Sequence, residues 1–497
     1  MIQDAPHRIE TAEQVAAVAS TKTLPLIVDL DGTLIHTDML HESALRLFKD
    51  RPFDVLRIPL WLSKGKAFLK QRIAGITQFD PSSLPYNVPL LDWLRQQRVM
   101  GRPLVLCTAS DISIAETIAE HVGIFDSVIG SDGVRNLAGP HKAEVLDQTF
   151  GQGRYDYAGN SSKDLAVWSH ARKAIVVNAS SAVLAAARAR FDVEQVFAAP
   201  RAGLNTWRRV FRVHQWLKNA LLFIPLLAAH QLANVTMWEH MLLAFFAFSL
   251  CASSVYIAND LLDLESDRQH PRKATRPFAS GAVASWKGVA LAPLLLIASL
   301  AIALQVGGSF LPWLVVYFVV TCAYSWFLKR QMVVDCLTLA ILYTLRIIAG
   351  AAAADMELSF WLLAFSVFLF LSLAFVKRFA ELELQAHSGK QKVHGRGYYT
   401  TDAPLIQNLG ITSGYASVVV LALYLNSDAV LQLYRAPQIM WGTVPVMLFW
   451  ISWVWMRAHR GEMHDDPLVF AVKDKASLLA GVVFAAVLIA GSVGWPW

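Results

Sequence analysis

Residues 259–281 read N-D-L-L-D-L-E-S-D-R-Q-H-P-R-K-A-T-R-P-F-A-S-G, a dense run of charge directly after an apolar stretch of helix length. In helical phase Asp260, Asp263 and Asp267 fall at i, i+3 and i+7, and Asn259 and Asp263 at i and i+4, which predicts one shared face. Three carboxylates on one face repel one another until a cation neutralises them. Hard oxygen donors that leave room for water and phosphate oxygens suit Mg²⁺. Arg268, Arg272, Lys273 and Arg276 follow at once, placed to grip a diphosphate from its other side. A solvated loop at the end of a membrane helix has no need of this spacing.

The 497 residues are 55% hydrophobic and 16% charged, and the apolar excess is confined to the part after about residue 215. Runs of spanning length recur near 217–234, 237–258, 286–306, 309–328, 333–354, 358–376, 406–426, 437–456 and 475–494, predicting an all-α polytopic bundle of about nine transmembrane helices. Basic residues gather in alternate loops, at 268–287, at Lys329 and Arg330, at 377–396 and at 457–475, with Arg435 the main exception. The positive-inside rule therefore places these loops and the amino terminus in the cytoplasm, and the carboxyl end outside. The first 20 residues are polar and acidic where a secretory signal would be basic and then apolar. Trp238, Trp361 and Trp495 stand near run ends as interfacial anchors. Cys107, Cys251, Cys322 and Cys336 have no paired spacing and read as packing residues. The net charge of +6 follows the membrane loops and forms no nucleic-acid patch.

The first ~200 residues have soluble composition and alternate strand-like with helical segments, which predicts an α/β domain. Residues 24–29, 103–107 and 174–177 read as strands, residues 112–122 as a helix, and residues 40–98 as a small helical cap. Residues 195–205, with Pro200 and Gly203, read as a linker. The expected division is 1–195, a linker 196–211, and a membrane domain 212–497. Asp29-Leu30-Asp31-Gly32-Thr33-Leu34 ends the first strand in a glycine turn. Carboxylates at i and i+2 point the same way, so one can attack phosphorus while the other moves a proton.

This motif resembles that of the haloacid dehalogenase (HAD) superfamily, and the resemblance runs over about 180 residues. It implies Asp29 as the nucleophile and Asp31 as general acid/base, with Thr108 binding phosphate and Lys142 offsetting developing charge. The fourth motif, residues 156–164, carries Asn160 where an Asp is usual and keeps Asp164. By the same resemblance Mg²⁺ would be held by Asp29, Asp31 through its carbonyl, and Asp164.

The run Arg212-Val213-His214-Gln215-Trp216-Leu217-Lys218-Asn219, the carboxylate cluster, and Lys329, Asp335 and Arg346 together resemble the UbiA superfamily of intramembrane prenyltransferases over most of residues 207–497. The superfamily usually carries a second aspartate-rich motif. Here that position reads Val376-Lys377-Arg378-Phe379-Ala380-Glu381-Leu382-Glu383, cationic and without D-x-x-x-D. Extra Lys and Arg suit two phosphorylated substrates, and the subgroup with the nearest resemblance is decaprenyl-phosphate phosphoribosyltransferase.

The resemblance implies transfer of 5-phosphoribose from phosphoribosyl diphosphate to a polyprenyl phosphate lipid, with the HAD-like domain removing the product's 5-phosphate. It implies catalytic roles for Asp260 and Asp263, and Mg²⁺ on Asp260, Asp263 and Asp267. Donor contacts would come from Lys218, Asn219, Asn259, Arg268, Lys273, Arg276, Lys329, Arg346, Lys377, Arg378 and Glu381. The expected location is the inner membrane, with both sites facing the cytoplasm, and a homo-oligomer is compatible with the sequence. Prenyl transfer to an aromatic acceptor, or a non-catalytic sensor of phosphorylated ligands, would also use such parts.

Overall fold

Three residues, Leu26–Val28, form β1 at the centre of the amino-terminal sheet, and each is fully buried. Residues 23–199, 202–229, 234–387, 389, 396–427, 434–463 and 466–494 are described by the computed structural model. The first 20 residues, Pro200 of the expected linker, Asp465 and Trp495 lie outside them. The chain divides into two compact units, one of residues 1–211 with 256–292, the other of residues 212–255 with 293–497. Contacts thus group the aspartate-rich segment with the amino-terminal residues.

In the first unit β1 is joined by β2 (Leu104–Asp111), β3 (Ser127–Ser131), β4 (Asp156–Gly159), β5 (Ala174–Val177) and β6 (Val193–Phe197). The order is β3-β2-β1-β4-β5-β6 and every pairing is parallel. Helices α1 (Met39–Asp50), α2 (Ile58–Ser63), α3 (Lys66–Ile76) and α4 (Val88–Val99) lie between β1 and β2 in sequence, where the cap was expected. Then come α5 (Ile112–Val122), α6 (Pro140–Phe150), α7 (Leu165–Trp168), α8 (Ser181–Arg190) and α9 (Leu204–Val210).

Strand alternation splits the core into two faces. Leu26, Val28, Leu104, Leu106, Ala158 and Ile175 pack on one, and Ile27, Val105, Cys107, Tyr157, Ala174 and Val176 on the other. The strand direction of growth reverses between β1 and β4. Ligands of open α/β sheets bind at the carboxyl ends of strands at such a switch point. β3, β4 and β6, unlike the other three, were not foreseen from the sequence.

The second unit is helical. Seven helices are long and apolar enough to cross a membrane among the described residues: Val235–Leu262, Ser285–Val306, Val334–Ala353, Phe360–His387, Thr400–Leu425, Pro437–His459 and Lys475–Val493. The apolar helix Phe310–Trp326 is shorter. Of the about nine runs expected, 309–328 is this shorter helix, and the described residues of 217–234 form no helix of spanning length. Here the chain forms a 3-10 segment, Val213–Phe223, followed by α10 (Ile224–Ala228), with Lys218 and Asn219 buried and Pro225 near the α10 start. The helix Phe360–His387 outlasts its apolar run, so Lys377, Arg378 and Glu381 are helical residues rather than loop residues.

Asp156 at the start of β4 is fully buried and accepts from two arginines. Arg102 contacts Oδ2, and Arg172 contacts Oδ1 at 3.0 Å and Oδ2 at 2.6 Å. Removing one partner of a buried ion pair costs about 3–5 kcal/mol. Asp156→Ala should therefore lower the melting temperature of the amino-terminal unit by on the order of 10 °C. Differential scanning calorimetry of the detergent-solubilised protein measures this, and an unchanged transition would refute the assignment.

Candidate functional site

The switch point of the sheet brings together four of the residues singled out in the amino-terminal part. Asp29 follows β1, Thr108 lies in β2, Lys142 is in the first turn of α6, and Asp164 follows β4. Lys142 Nζ donates to Asp29 Oδ1 at 2.6 Å, to the Tyr157 hydroxyl at 2.9 Å and to the Cys107 carbonyl at 3.1 Å, which uses all three of its protons. The Tyr157 hydroxyl donates to Asp164 Oδ1 at 3.0 Å. Asp164 Oδ2 accepts from the Asn160 and Ser161 amides and the Ser161 hydroxyl at 2.8–3.0 Å. Asp31 accepts from the Ser110 hydroxyl at 2.7 Å, from Thr108 Oγ1 at 3.3 Å and from the Met39 amide at 2.8 Å. Ser110, Tyr157 and Met39 were not anticipated. The T-x-S spacing of Thr108 and Ser110 along a strand was the one available signal.

Burial dominates the acidities here. It raises the Asp29 carboxyl to about 7 against the pull of Lys142, with Asp164 and Asp31 adding to the rise. Asp31 is also raised, by burial first and then by Asp38. Gly32 has φ +74°, and a built Cβ would stand 2.0 Å from Asn160 Nδ2. Asn160 thus packs onto the turn that carries Asp31. At Gly159 a Cβ would meet Asp164 Cγ at 2.7 Å, so glycine is what lets Asp164 approach.

The aspartate-rich segment, also in the first unit, leaves α11 (Val235–Leu262) and re-forms as α12 (Leu264–Arg268). Asp263 sits at the break with φ −102° and ψ 13°, which interrupts the single helical face expected from the spacing. Asp260 and Asp267 still converge. Arg276 Nη1 lies 3.0 Å from Asp260 Oδ1 and 2.6 Å from Asp267 Oδ2. Lys273 Nζ is 4.0 Å from Asp267, while the partly exposed Asp263 carboxylate is 3.9 Å from Lys49. Arg268 meets Glu42 instead of standing open to a ligand. Asn259 is half-buried at the end of α11.

Among the described residues no three His, Cys, Asp or Glu side chains form a metal cage. Mg²⁺ does not require one. It is commonly held by one or two carboxylates with water and substrate phosphate. Two buried carboxylates aimed at a single cationic nitrogen, and the oxygen-rich surroundings of Asp29 and Asp164, fit that chemistry.

In the second unit the structure separates the expected donor contacts into three groups. Lys218 and Lys377 both meet Asp466, at 2.7 Å and 3.3 Å, and Tyr343 donates to the same carboxylate at 3.1 Å. The Asp466 side chain is 8% exposed, and the two ammonium groups hold its carboxyl below the usual range despite a burial that would raise it. Arg346 is tied to Asn219 Oδ1 at 2.9 Å and the Tyr317 hydroxyl at 3.0 Å, and Asn219 donates to Ser249 at 3.0 Å. Arg378 is fully buried against Asp335 at 2.5 Å and also pairs with Glu381. Tyr398 donates to Asp335 at 2.5 Å and Arg396 lies 3.5 Å from it. Arg346, Arg378 and Glu381 are therefore held in structural pairings. Lys329 is half-buried on the 3-10 turn Leu328–Arg330.

Comparison with known proteins bears on the whole chain. A protein of Sinorhizobium fredii, uncharacterized protein y4nM, is 36% identical over 471 residues, covering 94% of this chain and 91% of its own. The nodulation protein NoeC of Azorhizobium caulinodans is 35% identical over 298 residues, 58% of this chain and 96% of that protein. The decaprenyl-phosphate phosphoribosyltransferase of Mycolicibacterium smegmatis is 39% identical over 187 residues, which is 36% of this chain and 58% of that protein. The pattern of the UbiA prenyltransferase family matches residues 221–488, more than half of the chain. With this match over more than half of its length, the chain belongs to the UbiA prenyltransferase family.

Proposed function

We propose that this membrane enzyme transfers 5-phosphoribose from phosphoribosyl diphosphate to a polyprenyl phosphate such as decaprenyl phosphate, and that its amino-terminal unit then hydrolyses the 5-phosphate of the lipid product. The observation that carries the first half is the pair Lys218 and Lys377 converging on the one buried carboxylate of Asp466. Where the family's second aspartate motif would add negative charge, this bundle sets fixed cations around an anionic group. A donor with a diphosphate and a further phosphate needs such cations. The identity with decaprenyl-phosphate phosphoribosyltransferase supports the same donor. The alternating basic loops support an inner-membrane location with the phosphatase-like unit in the cytoplasm.

In the transfer step a lipid phosphate oxygen attacks the anomeric carbon and the bond to diphosphate breaks, releasing pyrophosphate. Lys218 and Lys377 would bind donor phosphate, with Tyr343 orienting the group they share. In the hydrolysis step Asp29 attacks phosphorus and Asp31 gives its proton to the departing ester oxygen. Burial, with Asp38 adding to it, raises the Asp31 carboxyl above the ordinary carboxylate range, which favours the protonated form a donor needs. Water then cleaves the aspartyl phosphate, with Asp31 taking up the proton, while Thr108, Ser110 and Lys142 hold the phosphoryl oxygens. Asp260 and Asp267 in one site, with Asp263 at the neighbouring helix break, and Asp29, the Asp31 carbonyl and Asp164 in the other would hold Mg²⁺, which would supply charge neutralisation to diphosphate and phosphate.

Radiolabelled phosphoribosyl diphosphate given to membranes with polyprenyl phosphate should enter the lipid fraction, and failure of the label to move would dismiss this donor. In the same assay Asp29→Asn should abolish phosphate release and leave transfer within about twofold, so that a 5-phosphorylated lipid accumulates. Loss of transfer in that variant would contradict separate sites.

Lys377→Ala should weaken donor binding about tenfold or more, the worth of one charge-assisted hydrogen bond. Arg378→Ala should instead lower thermal stability. Donor titration and melting of both variants distinguish the roles, and equal donor affinity in wild type and Lys377→Ala would refute the first.

Asp267→Asn should reduce transfer on the order of a hundredfold, because a carboxylate that would hold Mg²⁺ against the diphosphate is lost. An unchanged thermal melting transition in the same variant is the control for folding. Near-normal phosphoribosylation would refute the assignment.

A further inference from the structure

Helix α1 presents Glu42, Arg46 and Lys49 at i, i+4 and i+7, one charged face of alternating demand. Each meets an opposite charge from the aspartate-rich segment of the same unit. Glu42 is gripped by both arms of Arg268, at 2.7 Å and 3.2 Å, Arg46 pairs with Glu265, and Lys49 lies 3.9 Å from Asp263. The Glu42 and Arg268 side chains are 13% and 7% exposed, so this contact is desolvated rather than a surface pair. Arg268 is braced in turn by the Ala279 carbonyl at 2.9 Å, and Thr37 donates to Glu42 at 2.6 Å. Gly281, at φ +73°, comes so close to His36 that a built Cβ would stand 2.4 Å from the His36 Cβ.

The far end of the same helix turn reaches the phosphatase-like site. Asp38 caps α1, and the first amide of the helix, at Met39, donates to Asp31 Oδ1 at 2.8 Å. The turn before it is closed by the Gly32 amide on the Thr37 carbonyl at 3.1 Å, and Asn178 bridges the Gly32 carbonyl and His36. A shift of α1 along its axis therefore moves the donor that orients Asp31.

We propose that the aspartate-rich segment is a positioning element of the hydrolytic site, with Arg268 and Glu42 as positioning residues that fix α1 and, through the Met39 amide, the proton-transfer geometry of Asp31. The proposal rests on the phosphatase reading of the amino-terminal unit. It adds that a segment assigned to donor binding by its sequence also tunes the hydrolysis of a phosphate ester.

Turnover of p-nitrophenyl phosphate by the solubilised full chain tests it. Arg268→Met and Glu42→Gln should each lower kcat about tenfold with KM within about twofold, as expected when a proton-transfer group is misplaced without losing substrate contacts. The double variant should be no worse than the poorer single one, because one contact is broken either way. Arg268→Lys, which keeps the charge but loses the two-armed grip, should fall between. Wild-type kcat in folded single variants, or losses that multiply in the double variant, would overturn the proposal. If the wild-type protein turns over no phosphate ester, the phosphatase reading fails, and hydrogen exchange still decides the positioning claim. Amides of residues 36–43 should exchange about tenfold faster in Arg268→Met, and unchanged exchange there would overturn it.

Discussion

Among the described residues most carboxylates taken out of water are matched by a fixed cation, and that pairing shapes what the remaining side chains can do. Asp29 has Lys142, Asp260 and Asp267 share Arg276, Asp335 has Arg378, and Asp466 has Lys218 and Lys377. An ionised carboxylate buried alone would neutralise by protonation or destabilise the fold by several kcal/mol. The pairs differ in what they leave over. Arg378 is enclosed among Asp335, Glu381 and Tyr398 and serves the fold. Lys218 and Lys377 both reach the Asp466 carboxylate, which fixes two ammonium groups close together in the second unit.

The same reasoning explains which parts of the architecture were legible in the sequence. The apolar run 24–29 and the turn after it identify β1 because a strand buried on both faces has no polar residue to spare. β3 and β6 escape notice because they are short and carry polar residues, Ser127 and Ser131 in one and Glu194 and Gln195 in the other. The membrane helices were legible from length and apolarity, except at 217–234, where hydropathy counts residues but does not register that Lys218 and Asn219 are turned inward. Phe360–His387 erred in the other direction. Its polar end stays helical since Lys377 and Arg378 find partners, which a hydropathy limit cannot anticipate.

The candidate sites were legible to the extent that their residues lie close in sequence. Asp29 with Asp31, and Asp260 with Asp267, are separated by only two and seven positions, so each pair is suggested locally, although it is the turn after β1 and the cation of Arg276 that gather them. Asp466 is 248 residues from Lys218, so nothing local connects them. Arg268 shows the converse error. Its position among basic residues beside acids suggests a phosphate ligand, yet its partner Glu42 is 226 residues away and satisfies both arms of the guanidinium.

Asn160 illustrates how packing can change the meaning of a motif residue. Its side chain occupies the space over Gly32, where the absence of a Cβ admits it, while its amide binds Asp164. An aspartate in that space would place a further charge beside Asp29, Asp31 and Asp164, three acids already close enough to raise the Asp29 carboxyl in a buried setting. An amide preserves the shape and the main-chain contact without adding to that repulsion. The ligand role proposed for Asp164 suits its setting, since one of its oxygens is oriented by Tyr157 and through it by Lys142, the same ammonium group that holds Asp29. One lysine thereby sets the positions of both carboxylates on which the proposed hydrolysis depends.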